Sequence, residues 1–90
     1  MMRINPDYIL REIAGEYILV PSGDAAQNMN GLINLNRTAA FIWKLAGEGL
    51  DDKQIVEKVL DGFEIDKETA EKDVHAILQK FVQAGMMEKE

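Results

Sequence analysis

The sequence predicts an α+β fold, a winged helix-turn-helix in which a three-stranded antiparallel sheet precedes three helices (β-β-β-α-α-α), as one domain over residues 1–90. Three observations carry this reading. The first third of the chain holds short β-branched and aromatic runs separated by turn residues. From Asn36 onward the apolar residues recur at helical spacing, and an N-cap residue preceded by an apolar one appears three times, at Leu35-Asn36, Leu50-Asp51 and Ile65-Asp66. Ninety residues at 10.1 kDa are enough for one hydrophobic core and too few for two.

The strands come first. Tyr8-Ile9-Leu10-Arg11-Glu12-Ile13 and Glu16-Tyr17-Ile18-Leu19-Val20 flank Ala14-Gly15, a hairpin turn signal, and Pro21 ends the second run. A polar connection over residues 22–30 follows, and Gly31-Leu32-Ile33-Asn34-Leu35 is a third, short strand whose alternation turns Ile33 and Leu35 to the core. Helix one offers Ala39, Ile42, Trp43 and Ala46 on one face, and helix two offers Ile55, Val56, Val59 and Leu60. Gln54 stands three residues after Asp51 at capping-box spacing, and Leu50 is placed to staple to Ile55. Helix three, over residues 67–84, presents Ala70, Val74, Ile77, Leu78, Phe81 and Val82 along roughly 27 Å. Gly47 and Gly49, then Gly62, then Gly85 stand near the expected helix ends, and Met86-Met87-Glu88 forms a short extended tail. Trp43 belongs to the core on this pattern, and Met86 and Met87 cover it.

Composition and charge exclude several classes of function. There is no Cys, so disulfides, zinc-thiolate sites and thiol catalysis are out of reach. No apolar run approaches the roughly 20 residues needed to cross a bilayer, and the first residues hold no signal-peptide core. A cytoplasmic location is the expectation, because small secreted domains usually rely on disulfides. Residues 1–45 carry four basic and four acidic side chains, whereas residues 46–90 carry six lysines against twelve acids, so the entire net charge of −6 lies in the second half. That balance repels nucleic acid and anionic membranes.

Catalytic constellations are absent from the sequence pattern. Gly47-Glu48-Gly49 lacks the third glycine of a phosphate loop and precedes no suitable strand-to-helix turn. His75 is the sole histidine; Glu71 lies one turn earlier, and two donors without a third make no metal site. Ser22, Thr38 and Thr69 are the hydroxyl candidates besides the tyrosines, with no histidine and acid set to activate them. Asp51-Asp52 are adjacent side chains that diverge, one of them the cap. The expectation is a protein that is not an enzyme and needs no cofactor or metal.

Leu35-Asn36-Arg37-Thr38-Ala39-Ala40-Phe41-Ile42-Trp43 resembles the Leu-Asn-x-Thr-Ala/Gly-x-x-Ile-Trp signature of the PqqD-like family. Gly47 or Gly49, Gln54-Ile55, Phe63, Asp73-Val74 and Gly85-Met86 match further family positions, so that the resemblance spans residues 7–88. The connection at residues 22–30 is longer than in the shortest members. The resemblance implies a recognition domain for ribosomally made, post-translationally modified peptides. Such a domain binds the leader segment of a precursor peptide and presents it to a modifying enzyme, such as a radical-SAM protein. It further implies that the leader adds as a strand beside strand three and packs against helix three. The candidate peptide-binding residues are then Gly31, Leu32, Ile33, Asn34 and Leu35, with Lys72, His75, Leu78, Gln79 and Val82 chosen on helix three by helical spacing.

The residues themselves agree with that role. Strand three lacks the lysines and prolines that guard exposed edges, and an unguarded edge calls for something that pairs with it. Residues 25–29 or 86–88, or a second copy of the chain, are the other occupants such an edge admits, so the expected state is a monomer or an edge-paired or swapped homodimer. A DNA-binding winged helix is the competing class. It is disfavoured because helix three sets Lys67, Lys72 and Lys80 against Glu68, Glu71 and Asp73, where a reading helix carries basic excess.

Overall fold

The computed structural model describes residues 2–23 and 33–89. Strands β1 (Met2–Ile4), β2 (Tyr8–Ile13), β3 (Glu16–Pro21) and β4 (Ile33–Leu35) precede helices α1 (Arg37–Gly47), α2 (Asp52–Gly62) and α3 (Lys67–Gln83), and β5 (Met87–Lys89) follows. The antiparallel sheet has the order β2-β3-β4. The expected β-β-β-α-α-α core is present, with one addition: β1 pairs with β5 in a separate two-stranded sheet. The expected tail at residues 86–88 therefore becomes a strand, but one committed to the chain's own beginning and not to β4. Asn5 extends this clasp, its N–H donating to the Met86 carbonyl at 2.8 Å. Of the third-strand candidates, Gly31 and Leu32 lie outside the described residues, as does the connection from Asp24 to Asn30.

Local chemistry accounts for each element. Ala14 and Gly15 both have positive φ, 52° and 81°, as a two-residue type I′ turn requires, and the closed hairpin pairs Ile13 with Glu16. β3 runs one residue further than expected, through Pro21, which pairs with Tyr8. Each helix starts at its anticipated cap. Asn36 accepts from the Ala39 N–H at 2.8 Å; Asp51 and Gln54 close a capping box at 2.9 and 3.0 Å; Asp66 accepts from the Thr69 N–H at 3.3 Å. α3 ends one residue earlier than expected, with Ala84 as its C-cap and Gly85 at φ 78° turning the chain into β5.

The core lies between the helices and one face of the sheet. Trp43 is 3% exposed and meets Phe81 edge-on, with ring centroids 5.1 Å apart, so α1 and α3 are joined by an aromatic pair. Leu19 brings β3 to this centre, Ile55 and Val59 bring α2, and Met86 and Met87 close it from the C-terminal end. Phe63, just after α2, packs edge-on against Phe41 with the Arg37 guanidinium over its ring, which fixes the α2–α3 connection to α1. Among the described residues no polar or charged side chain is buried. None of the helices described is long and apolar enough to cross a membrane.

Candidate functional site

Strand β4 forms one edge of the sheet, and its backbone polarity follows from the hairpin next to it. In the Ala14-Gly15 turn the Ile13 carbonyl accepts from the Glu16 N–H, which makes Ile13 and Glu16 a hydrogen-bonded pair. Bonded and non-bonded pairs alternate along an antiparallel ladder, so Arg11–Ile18 and Ile9–Val20 are bonded and Leu10–Leu19 is not. The far end agrees. Asp7 and Ser22 continue the same parity, and the Ser22 N–H donates to the Asp7 carbonyl at 2.7 Å. Tyr17 and Leu19 therefore turn their backbone groups away from β2 and toward β4, where they meet Leu35 and Ile33. The residue between those two is Asn34. Its N–H and C=O point out of the sheet, at the open edge.

The side chains of β4 divide by the same geometry. Ile33 and Leu35 are half-buried and packed against the core, as the alternation predicted, and Asn34 is exposed on the outer face. Asn36 follows at once as the cap of α1, so the edge strand runs directly into a capped helix. Among the described residues nothing pairs with the outer edge of β4. The opposite edge, β2, differs. The N–H at its start is taken by the Asn5 carbonyl at 3.1 Å, and Arg11 and Glu12 place charges along it. That strand also carries two exposed large apolar residues, Ile9 and Ile13, which the sequence reading did not single out.

The helix-three candidates differ in exposure and in what they touch. Lys72 is exposed and forms an ion pair with Glu68 one turn earlier, at 3.5 Å. His75 is exposed and lines a groove shared with α2, floored by Val56, Leu60 and Val74, to which no sheet residue contributes. Gln79 is exposed and Val82 is half-buried against the core. Leu78 is 2% exposed: it continues the row Ala70–Val74–Leu78 that packs inward, so it supports the helix from within instead of presenting a surface. β4 itself packs mainly on β3 and α1. Among the described residues no three His, Asp or Glu side chains are grouped to hold a metal ion.

Comparison with known proteins adds to this geometry. Residues 16–87 match a family model described as Coenzyme PQQ synthesis protein D (PqqD). No protein of curated function matches the chain at a significant level. Two solved structures share its fold. One is described as TbiB1 in complex with the TbiA(beta) leader peptide; it has a TM-score of 0.79 and 20% identity, with 98% of this chain and 96% of that chain covered. The other is described as lasso peptide synthetase B1 complexed with the leader peptide, with a TM-score of 0.79, 19% identity and 98% of both chains covered.

Proposed function

The chain belongs to the PqqD family, and from that membership and the open edge of its sheet we propose that it is a non-enzymatic recognition protein for the leader segment of a ribosomally made precursor peptide. The leader adds as a strand to the outer edge of β4, taking the outward N–H and C=O of Asn34, and the bound precursor is presented to a modifying enzyme such as a radical-SAM protein. One observation carries the reading: a short strand without guarding charges or prolines, whose middle residue offers both backbone groups outward. The two solved structures compared above are each described as a complex with a leader peptide, which supports the same role. Main-chain bonds supply affinity in such a mode, and side-chain pockets supply selectivity.

Duplex DNA fits the surface poorly. Glu68, Glu71 and Asp73 accompany the lysines of α3, and all three are exposed. The test of the leader reading is a titration of the isotopically labelled protein with synthetic leader peptides of candidate ribosomally made precursors. The Asn34 amide is expected to shift downfield and to gain protection from exchange, while the amides of Leu10 and Glu12 on the opposite edge stay unchanged. Saturable binding that leaves Asn34 untouched would overturn the site.

A further inference from the structure

Arg37, Ala40, Phe41 and Lys44 recur at i, i+3, i+4 and i+7 and so share one face of α1. With Tyr17 of β3 and Gly62-Phe63 at the end of α2 they line a pocket of about 290 Å³. Ala40 is buried, and the three aromatic residues are half-buried. The two charged residues of the lining are both cationic and both exposed. Each is held over a ring: the Arg37 guanidinium lies 5.5 Å from the Phe63 centroid, and the Lys44 ammonium 5.3 Å from that of Tyr17. A ring contact of this kind orients a cation without using up its hydrogen-bond donors. Neither cation is in an ion pair with a described residue. Asp61 and Glu64 flank Gly62-Phe63 in sequence but line no part of the pocket.

Gly62 supplies a second observation. It closes α2 without a positive φ, so the backbone does not demand glycine there, and glycine weakens a helix relative to alanine. A Cβ at this position would meet the Phe41 ring at 3.8 Å, an ordinary contact, so a longer side chain would stand against a wall of the pocket. Glycine leaves that space open. We propose that the pocket receives an acidic peptide segment, with its carboxylates on Arg37 and Lys44 and an apolar side chain against Phe41 and Phe63. A nucleic-acid backbone is the poorer occupant, because it needs a track of cations and the chain as a whole carries a net charge of −6. The pocket shares no residue with β4, so the inference stands independently of the strand-edge reading.

The probe is a capped tripeptide, glutamate-leucine-glutamate, too short to pair along a whole strand, and the control is its glutamine counterpart. The acidic tripeptide is expected to bind saturably, with chemical-shift changes at the amides of Tyr17, Phe41 and Gly62, and the control to bind at least about tenfold more weakly. Arg37→Gln with Lys44→Gln should weaken binding at least about tenfold at unchanged thermal midpoint, since both side chains are exposed. Gly62→Leu should weaken it at least about fivefold while the midpoint holds or rises. Lys53→Gln with Lys80→Gln changes the net charge equally at positions that line no part of the pocket, and should weaken it by less than about twofold. Any of four results would overturn the site: equal losses in the two double variants, parent-like affinity in Gly62→Leu, shift changes centred on Asn34, or tighter binding of a single-stranded oligonucleotide than of the tripeptide.

Discussion

Two proline substitutions in adjacent positions of β4 should have opposite consequences. Proline removes one N–H, keeps the carbonyl and puts a ring where the proton was. At Ile33 the lost N–H is the one given to the Leu19 carbonyl in the sheet, and the substitution also removes a half-buried aliphatic side chain from the core margin. An unsatisfied carbonyl and lost packing together should cost about 3 kcal/mol or more. A domain of this length has roughly 5–13 kcal/mol in total. At Asn34 the lost N–H points outward and the side chain is exposed, so the fold should lose no more than about 1 kcal/mol, as edge positions tolerate proline. The ring then stands where a leader strand must approach. Losing one hydrogen bond and distorting its neighbour should weaken leader binding by about 1–2 kcal/mol, or roughly 5- to 30-fold. Urea unfolding followed by circular dichroism measures the first quantity for both variants, and calorimetric titration with the leader peptide measures the second. Leader affinity in Asn34→Pro within about twofold of the parent would refute strand addition at β4. Equal stability losses in the two variants would refute the assigned parity.

Trp43→Ala should cost about 3–5 kcal/mol, because the ring is 3% exposed and stacked edge-on against Phe81; the single tryptophan of the parent should emit at a blue-shifted wavelength, and a solvent-like maximum with little loss in urea would contradict its place in the core. Asp66 caps α3 from a fully exposed position, and hydrogen bonds from the Thr69 hydroxyl and then the Thr69 N–H hold its carboxyl below the ordinary 3.8. A depressed folded value means that the cap stabilises the fold above the unfolded pKa and loses that contribution as pH falls through the folded one. Asp66→Asn keeps an acceptor without the charge, so the difference in thermal midpoint between parent and variant should shrink from about pH 7 to about pH 2, and a constant difference would contradict the linkage.

The helices were legible because their signals are local. Asn36, Asp51 and Asp66 each sit within three residues of the N–H they accept, and the apolar rows that place Trp43, Val59 and Val74 inside repeat within single turns. The sheet was legible for the same reason at its hairpin, where Ala14-Gly15 joins adjacent runs. β1 and its pairing with the extended tail were not: Arg3 pairs with Glu88, across nearly the whole chain, and a three-residue strand is too short to show a period. The candidate site was half legible. Alternation alone turned Ile33 and Leu35 inward, but the direction of the Asn34 backbone required the register with β3 and the parity of a distant turn. Helical spacing put Leu78 both on the apolar face of α3 and among the peptide-binding candidates, and at 2% exposure its side chain lies in the core.

The positions that mark the family do structural work. Leu35 packs inward from the edge strand, Asn36 caps α1, Ile42 is fully buried, and Trp43 bonds α1 to α3 through Phe81. Together they fix β4 to the helices at a set distance and leave its outer groups presented on a rigid support, which lowers the ordering cost that a docking strand must overcome. Main-chain pairing at such an edge accepts many sequences, since every residue but proline offers the same two groups. If a leader docks there as proposed, selectivity for one leader over another comes from side chains outside the signature. The exposed ones beside the outward backbone of Asn34 are where exchanging residues between members of the family should transfer peptide preference without disturbing the fold.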